Sequence, residues 1–280
     1  MRAKAIALLG AAAFLGAVQA VYAADMPVKA PVHAPAAAVP YNWSGFYVGG
    51  NAGASWAKSD VTSNLIPGAV FAGSGALLGG IPANILVVNT AGTGSLSGNG
   101  RFTGGGQIGF NWQFAPNWLA GLEADFNSFN EKLSLTATGI TTIGPATVTN
   151  SLSTNWLATV RGRLGVTFDR ILLYVTGGVA FTDLKYSQIY SDAAAPPGAG
   201  SSSKKSTKAG WAVGGGGEWA LADRWTVKAE YLYVQFDGQN TTTLLCAGGC
   251  GTFSQNLTGA TGDLRAHIAR IGLNYRFGGL

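Results

Sequence analysis

Eight separate segments of this chain alternate apolar with polar residues at a period of two. In residues 156–168, for example, Val160 and Leu164 fall in one phase, while Arg161 and Arg163 fall in the other. Such alternation is typical of a β-strand whose two faces meet different surroundings. The eight segments are 46–56, 102–114, 118–126, 156–168, 173–182, 211–219, 225–233 and 269–277.

The connections between these segments fall into a short class and a long class. Short turns centred on residues 116–117, 169–170 and 222–223 join every second pair of segments. The four long connections are 57–100, 131–153, 187–207 and 238–263. Membrane barrels sort their connections in this way, with turns in the periplasm and loops outside, whereas a soluble sandwich has no reason to do so. The pattern predicts an all-β fold: an eight-stranded antiparallel transmembrane up-and-down β-barrel with short periplasmic turns and long extracellular loops.

Charge and tryptophan placement favour the same fold. Charged residues make up 11% of the chain, against about 25% in an average soluble domain. A barrel needs few charges because its outer face meets lipid and only its inner face is polar. All eight tryptophans fall near predicted strand ends, the positions that indoles favour at the two membrane interfaces. We expect the turn-side belt to contain Trp43, Trp112, Trp118, Trp219 and Trp225, and the loop-side belt Trp56, Trp156 and Trp211.

The N-terminal residues are typical of export. Arg2 and Lys4 precede an apolar run that ends near Val18, and Val21-Tyr22-Ala23 offers small residues for cleavage. We expect a signal peptide over 1–23, a Pro/Ala-rich periplasmic linker over 24–41 and the barrel over 42–280. Cleavage after Ala24 and a retained membrane anchor are the alternatives. Loss of Arg2 and Lys4 lowers the net charge from +5 to +3, too small an excess to indicate nucleic-acid binding.

Three stretches resemble the small opacity-type and OmpA-transmembrane-like outer-membrane proteins. They are residues 43–53, the hairpin from Gly104 to Phe126, and the last segment. In the last segment Arg270, Gly272, Tyr275 and Phe277 match the family's barrel-assembly signal, although Gly278-Gly279-Leu280 follow the usual terminal aromatic residue. The resemblance implies a Gram-negative outer-membrane location, contact with lipid and lipopolysaccharide, and assembly with periplasmic chaperones and the barrel-assembly machinery.

Charged residues on the inward phase are the main candidate site. In an eight-stranded barrel the interior is about wide enough for side chains to fill, so opposite charges there should pair across the lumen. Such pairs would make a polar plug rather than an open channel. The predicted network consists of Glu123, Asp125, Arg161, Arg163, Glu218, Lys228, Glu230 and Arg270.

Smaller features suggest further sites. Cys246 and Cys250 are too few to bind zinc alone, so we expect a disulfide within the last loop. Basic residues near the outer rim are candidates for contacts with lipopolysaccharide phosphates, or form an ordinary solvated surface. They are Lys185, Lys204, Lys205, Lys208 and Arg265.

The sequence shows no catalytic constellation and no cofactor or metal motif. His267 lies near the outer rim, where some barrels modify lipid A, but no serine or carboxylate accompanies it at the required spacing. We therefore expect a surface-exposed structural barrel that contributes to envelope integrity and is not an enzyme. A porin-like channel for small solutes and an adhesin acting through its loops are the alternatives. The ligand and the oligomeric state remain open.

Overall fold

The computed structural model describes residues 41–65, 93–141, 144–192, 198–247 and 253–277. The predicted signal peptide, nearly all of the predicted linker, and residues 66–92 of the first long connection lie outside the described residues. The described chain forms thirteen strands: β1 (Gly45–Leu65), β2 (Thr93–Ser97), β3 (Arg101–Ala115), β4 (Trp118–Phe129), β5 (Lys132–Thr141), β6 (Gly144–Ser153), β7 (Trp156–Phe168), β8 (Ile171–Asp192), β9 (Gly198–Ala220), β10 (Trp225–Phe236), β11 (Asn240–Ala247), β12 (Phe253–Thr261) and β13 (Leu264–Phe277).

Eight of these strands close into a ring. The order is β1-β3-β4-β7-β8-β9-β10-β13, and β13 returns to pair with β1. Every pairing is antiparallel. Closure gives every strand two neighbours, so neither edge is left unpaired. The predicted eight-stranded antiparallel barrel is confirmed. Within the described ranges, no helix has the length and hydrophobicity required to cross a membrane.

The period-two pattern places apolar side chains outside and polar side chains inside. Along β7, Val160 and Leu164 are exposed on the outer surface, whereas Arg161 and Arg163 are buried in the lumen. The phase holds from strand to strand because the pairing registers match like faces; Glu123 lies directly opposite Arg161. An apolar outer surface is the surface that lipid would cover.

The barrel continues beyond the predicted membrane segments as a second tier. Strands β1, β8 and β9 run through without a break, while β2, β5, β6, β11 and β12 continue the other five strands after links of two or three residues. The long connections 131–153, 187–207 and 238–263 therefore contain much strand. They are rich in Thr, Ser and Gly, and alternation with large apolar residues, as at Leu133 and Leu135, is confined to short stretches of them.

The second tier has one seam among its described strands. Backbone ladders join β5-β6-β8-β9-β11-β12-β1-β2. No described ladder joins β2 to β5. Gly94 and Gly98 of the β2 region lie against Leu135 and Leu133 of β5 instead. Side-chain packing therefore replaces backbone pairing at this one place.

Seven of the eight tryptophans face outward, as the two predicted belts require. Trp43 is the exception and was wrongly assigned to the turn-side belt. Its side chain is 0% exposed inside the turn end of the barrel, where its indole Nε1 donates to the Asp169 carbonyl at 2.9 Å. The error arose because Trp43 precedes β1, so the strand alternation did not determine its direction.

Neighbouring glycines in the run 104–106 meet different surroundings, which gives a test of the inward packing. A Cβ on Gly105 would lie 2.0 Å from the Phe126 carbonyl oxygen, whereas one on Gly106 would meet nothing closer than 3.8 Å. We expect Gly105→Ala to destabilise the refolded barrel by about 1–3 kcal/mol, because the strands must separate to admit the methyl group. Gly106→Ala is the matched control and should leave the urea unfolding midpoint nearly unchanged. Equal effects of the two substitutions would contradict this packing.

Candidate functional site: the filled lumen

The eight charged residues predicted for the lumen lie together in its middle layer. They come from five strands, β4, β7, β9, β10 and β13, each placed by the inward phase of its strand. Their side chains are at most 2% exposed. Four carboxylates face four cations, so the layer carries no net charge. We call these residues the charged layer: Glu123, Asp125, Arg161, Arg163, Glu218, Lys228, Glu230 and Arg270.

Arg161 is the centre of the charged layer. Its Nη2 lies 2.6 Å from Glu123 Oε1 and 2.8 Å from Asp125 Oδ2. Its Nη1 lies 3.1 Å from Glu230 Oε1 on the far side of the lumen. One guanidinium therefore connects three carboxylates on two strands, a geometry that a planar group with five N–H donors permits.

The other cations also reach across the lumen. Lys228 Nζ lies 2.8 Å from Glu123 Oε1, joining β10 to β4 on the opposite side of the ring. Arg270 Nη2 lies 2.6 Å from Glu230 and 2.9 Å from Asp125. The contacts of Lys228 with Glu123 and of Arg270 with Asp125 join strands that are not neighbours in the ring.

The fourth cation, Arg163, lies closer to Glu218 of β9 than to Glu123 of the neighbouring strand β4. Its Nη1 lies 3.2 Å from Glu218 Oε2 and 3.8 Å from Glu123 Oε2. The Lys228 side chain lies directly opposite Glu218 in the register of β9 and β10, yet its ammonium contacts Glu123 instead. Position along the strands thus brings the charges to one layer, and the curvature of the ring decides the partners.

Polar neighbours outside the predicted network add further hydrogen bonds to the charged layer. The Tyr47 hydroxyl donates to Glu123 at 2.7 Å and the Tyr174 hydroxyl to Glu230 at 3.0 Å. Thr159 donates to Asp125 at 2.8 Å. The Arg163 guanidinium also stacks between the rings of Tyr47 and Tyr174. The inward phase of their strands could have predicted these residues. They were missed because only charged residues were selected from that phase.

An aromatic and arginine cluster closes the turn end of the lumen. Arg276 Nη2 donates to the carbonyls of Asn42 and Ser44 at 2.6 and 3.0 Å. Its guanidinium lies over the rings of Tyr41 and Trp43. The segment just before β1 is thereby held across the mouth of the barrel. We call this group the mouth layer; Leu119, Leu172, Tyr174 and Ala220 pack with Trp43 in the same cluster.

Apolar side chains fill the opposite end of the lumen. On β10 the inward phase changes from Lys228 and Glu230 to Leu232, Val234 and Phe236. The same change occurs on other strands, so one buried cluster spans the junction between the barrel and its second tier. We call it the apolar layer. Its main members are Ala57, Val61, Leu96, Phe129, Leu133, Leu152, Leu157, Leu184, Leu232, Val234, Phe236, Leu264 and Ile268.

Glu131 is a buried carboxylate beside the apolar layer, in the link between β4 and β5. Its side chain is 1% exposed. Oε1 accepts from Ser55 Oγ at 2.5 Å, and Arg101 Nε lies 4.0 Å from Oε2. Among the described residues Oε2 has no hydrogen-bond donor. Burial raises the pKa of Glu131 above its ordinary value, and the bond from Ser55 and the charge of Arg101 only partly offset that effect.

The assembly-signal residues divide between the two faces of β13. Arg270 belongs to the charged layer, and Gly272 lies opposite Lys228, where a Cβ would approach the lysine chain to 3.1 Å. The absence of a side chain at Gly272 therefore leaves room for Lys228. Tyr275 and Phe277 face outward, and their rings pack 5.0 Å apart.

Four of the basic residues proposed for lipopolysaccharide lie on the paired strands β8 and β9, and the fifth, Arg265, lies on β13. Lys185 and Lys205 are directly opposite each other on the outer face of β8 and β9. Lys208 donates to the Gly238 carbonyl at 3.0 Å, while Arg265 lies on β13. Lys204 lies on β9 and is exposed.

The remaining candidates lie away from the lumen or outside the described residues. His267 faces outward, and its Nδ1 lies 2.5 Å from the Tyr231 hydroxyl. Cys250 and the side chain of Cys246 lie outside the described residues, so their disulfide stays a prediction. In the described part of the chain, no group of three or more His, Cys, Asp or Glu side chains is placed to hold a metal ion.

A closed ring with an apolar exterior and a charged interior defines a transmembrane β-barrel. The chain belongs to the family described as outer membrane protein beta-barrel domain, whose family model matches residues 28–277. The protein is thus located in the outer membrane, with its short turns in the periplasm and its second tier outside.

Relatives and solved structures were found by comparison. The chain is 31% identical over 258 residues to the 31 kDa outer-membrane immunogenic protein of Brucella melitensis biotype 1, covering 91% of this chain and 92% of the relative. It is 29% identical over 138 residues to a 22 kDa outer membrane protein of Rhizobium leguminosarum bv. viciae, covering 49% of this chain and 54% of the relative. Among solved structures, the chain is similar to the protease OmpT of Escherichia coli, with 11% identity and a TM-score of 0.41, covering 83% of this chain and 97% of that chain. It is also similar to OprG of Pseudomonas aeruginosa, with 13% identity and a TM-score of 0.38, covering 84% of this chain and 97% of that chain.

Arg161 provides the test of the charged layer. We expect Arg161→Met to destabilise the barrel by about 3–5 kcal/mol, because three buried carboxylates lose a shared cation. Urea unfolding of the barrel refolded into lipid vesicles measures the loss. Arg170→Met is the control: its partner Asp223 is 79% exposed, and such pairs contribute about 0–1 kcal/mol.

A second substitution separates charge from packing. Arg161→Met combined with Glu230→Gln restores equal numbers of cations and carboxylates, so we expect the double variant to be more stable than Arg161→Met alone. A double variant no more stable than the single one would show that Arg161 acts through its volume rather than through its charge.

Glu131 predicts a pH dependence of stability. Because its pKa is raised in the folded barrel, the folded state holds the proton at a pH where the unfolded chain has released it. Stability should therefore increase as the pH falls from above the folded pKa towards the ordinary value of 4.5, and level off below it. The difference in urea unfolding midpoint between the wild type and Glu131→Gln should therefore shift in favour of the wild type as the pH falls through that window. A difference that is constant with pH would contradict the prediction.

Proposed function

We propose that this protein is a closed structural barrel that stabilises the outer membrane and carries an ordered tier of β-structure on the cell surface. The observation that supports the proposal is that buried side chains face the lumen at three successive levels of the described strands. From the periplasm outward these levels are the mouth layer, the charged layer and the apolar layer. A barrel braced in this way at three levels resists deformation of its wall.

The same layers argue against a channel. A pore needs a continuous line of water and wall charges that remain free to meet solutes. Here the four carboxylates of the charged layer are bound to its four cations. Beyond it, the apolar layer would have to hold water against leucine, valine and phenylalanine side chains, which is unfavourable.

An enzymatic role receives no support from the described residues. His267 lies on the outer face with tyrosine as its hydrogen-bond partner, and the Brucella relative is named as an immunogenic outer-membrane protein rather than as an enzyme. We also propose that assembly uses periplasmic chaperones and the barrel-assembly machinery, because the terminal strand carries outward-facing Tyr275 and Phe277 near its end.

Single-channel conductance in a planar bilayer tests the closed lumen. We expect the refolded mature barrel to give no steady openings at neutral pH, because all three layers block the path. Heat-modifiable migration on gels should first show that the protein is folded, and a general porin inserted into the same bilayer controls for the measurement. Reproducible openings of the wild type would replace this proposal with the porin-like one.

Adhesion or host contact is the second candidate, and the second tier favours it. Its hairpins extend the barrel beyond the membrane surface and expose Thr and Ser side chains such as Ser134, Thr136 and Thr138. The name of the Brucella relative, an immunogenic protein, fits a surface that host molecules can reach.

The β5–β6 hairpin offers a clean deletion for this second candidate. Thr136 and Thr149 are directly opposite each other, so a short turn can replace residues 137–148 and leave Leu133, Leu135 and Leu152 at the barrel end in place. If the tier is the contact surface, bacteria displaying the shortened barrel should adhere less to host cells than bacteria displaying the full barrel. Unchanged adherence at equal surface display would count against this role.

A further inference from the structure

Two cations lie side by side on the outer surface of β1 and β13. Lys58 and Arg265 are directly opposite each other in the strand register, and both share the outward phase of Trp56 and His267. Both are exposed, Arg265 with 52% of its side-chain area. Like charges directly opposite across two strands are destabilising on their own. An anion between them would turn that repulsion into binding.

An aromatic belt lies immediately on the membrane side of this pair. One step along the strands, Trp56 is opposite His267, and His267 is opposite Tyr233. The Tyr233 and His267 rings pack with centroids 5.2 Å apart. Since such aromatic residues occupy the level of the lipid headgroups, Lys58 and Arg265 lie at the height of lipid phosphates.

Below the belt the outer surface of the barrel has a groove. Its volume is about 540 Å³, and outward-facing Ala52, Ala229, Ala269, Tyr231 and Ile271 line it. Gly53, Gly215 of β9, and Glu230 and Arg270, whose charged side chains are buried in the lumen, complete its floor. The groove exists because three neighbouring strands carry alanine at outward positions. Ala269 is four residues from Arg265, about 14 Å along the strand, so an acyl chain attached to a headgroup at the cations can reach it.

Two carboxylates near the cations lie farther from the membrane. Asp60 Oδ2 is 4.0 Å from Arg265, and Asp263 accepts from Gln235 at 2.7 Å. Each is two residues beyond a member of the cationic pair, away from the belt. A lipid phosphate rising from the membrane therefore meets Lys58 and Arg265 first.

We propose that Lys58, Arg265 and the groove below them form a binding site for one phosphorylated glycolipid of the outer leaflet. The cations hold a phosphate through charge-assisted hydrogen bonds, the aromatic belt borders the sugar, and the groove holds one acyl chain. The site lies on the outer surface, so it does not depend on whether the lumen conducts. Arg265 is the one member of this site that the sequence had suggested as a lipopolysaccharide contact, and Lys58 is a new one.

Native mass spectrometry of the refolded full barrel, titrated with diphosphorylated lipid A in non-ionic detergent, tests the site. We expect one retained lipid A on the wild type and none of the zwitterionic probe phosphatidylethanolamine. Lys58→Gln combined with Arg265→Gln should weaken retention at least about tenfold, because both phosphate partners are lost. Ala229→Leu combined with Ala269→Leu fills the groove and should weaken retention by a similar factor while leaving the charges in place.

The matched control removes two positive charges from another pair of cations that face each other across two strands. Lys185 and Lys205 are directly opposite each other, but Lys205 Nζ already lies 3.2 Å from Asp183, and the larger side chains of Val179 and Phe181 occupy the outer face of β8 below them. Lys185→Gln combined with Lys205→Gln should change lipid A retention by less than about twofold. Equal losses in the control, retention that survives groove filling, equal retention of phosphatidylethanolamine, or no retained lipid on the wild type would each overturn the proposal. Gel migration of the folded form should confirm that every variant is folded.

Discussion

The need to pair every backbone N–H and C=O group in a bilayer is the constraint on which the rest of this structure depends. A sheet can meet that need only by closing on itself, and eight strands close into a ring whose interior is just wide enough for side chains. Charged side chains on the inward phase are therefore surrounded by other side chains rather than by a wide aqueous channel. They must bind one another, and the charged layer is the result.

Closure also explains why the three layers of the lumen differ in chemistry. In the middle, Arg161 and its carboxylates join strands that are distant in the ring, so they brace the wall from inside. At the periplasmic mouth, Arg276 holds the backbone of Asn42 and Ser44, because the segment entering β1 must cross the opening there. At the extracellular end, leucine, valine and phenylalanine close the lumen where the wall continues into aqueous surroundings.

The second tier follows from the same geometry. The links at the rim are two or three residues long, and the described strands above keep the ring order, with a seam between β2 and β5. Side chains of Leu133 and Leu135 fill that seam against glycines. The surface that meets the outside is thus a continuation of the barrel wall, which gives a surface role an ordered platform.

The sequence by itself determined the strands of the membrane barrel, their number, the alternation of faces along each strand and the eight residues of the charged layer, although not the buried charges of Arg276 and Glu131. It could do so because period-two alternation reports the two surroundings of each strand locally. Only the tertiary structure decided that Lys228 reaches Glu123 instead of Glu218, that Trp43 lies inside the mouth, that leucines close the outer lumen, and that predicted loops continue as strands. Those outcomes depend on which strands the closed ring brings face to face. A local sequence pattern carries no information on the distance between strands on opposite sides of the lumen.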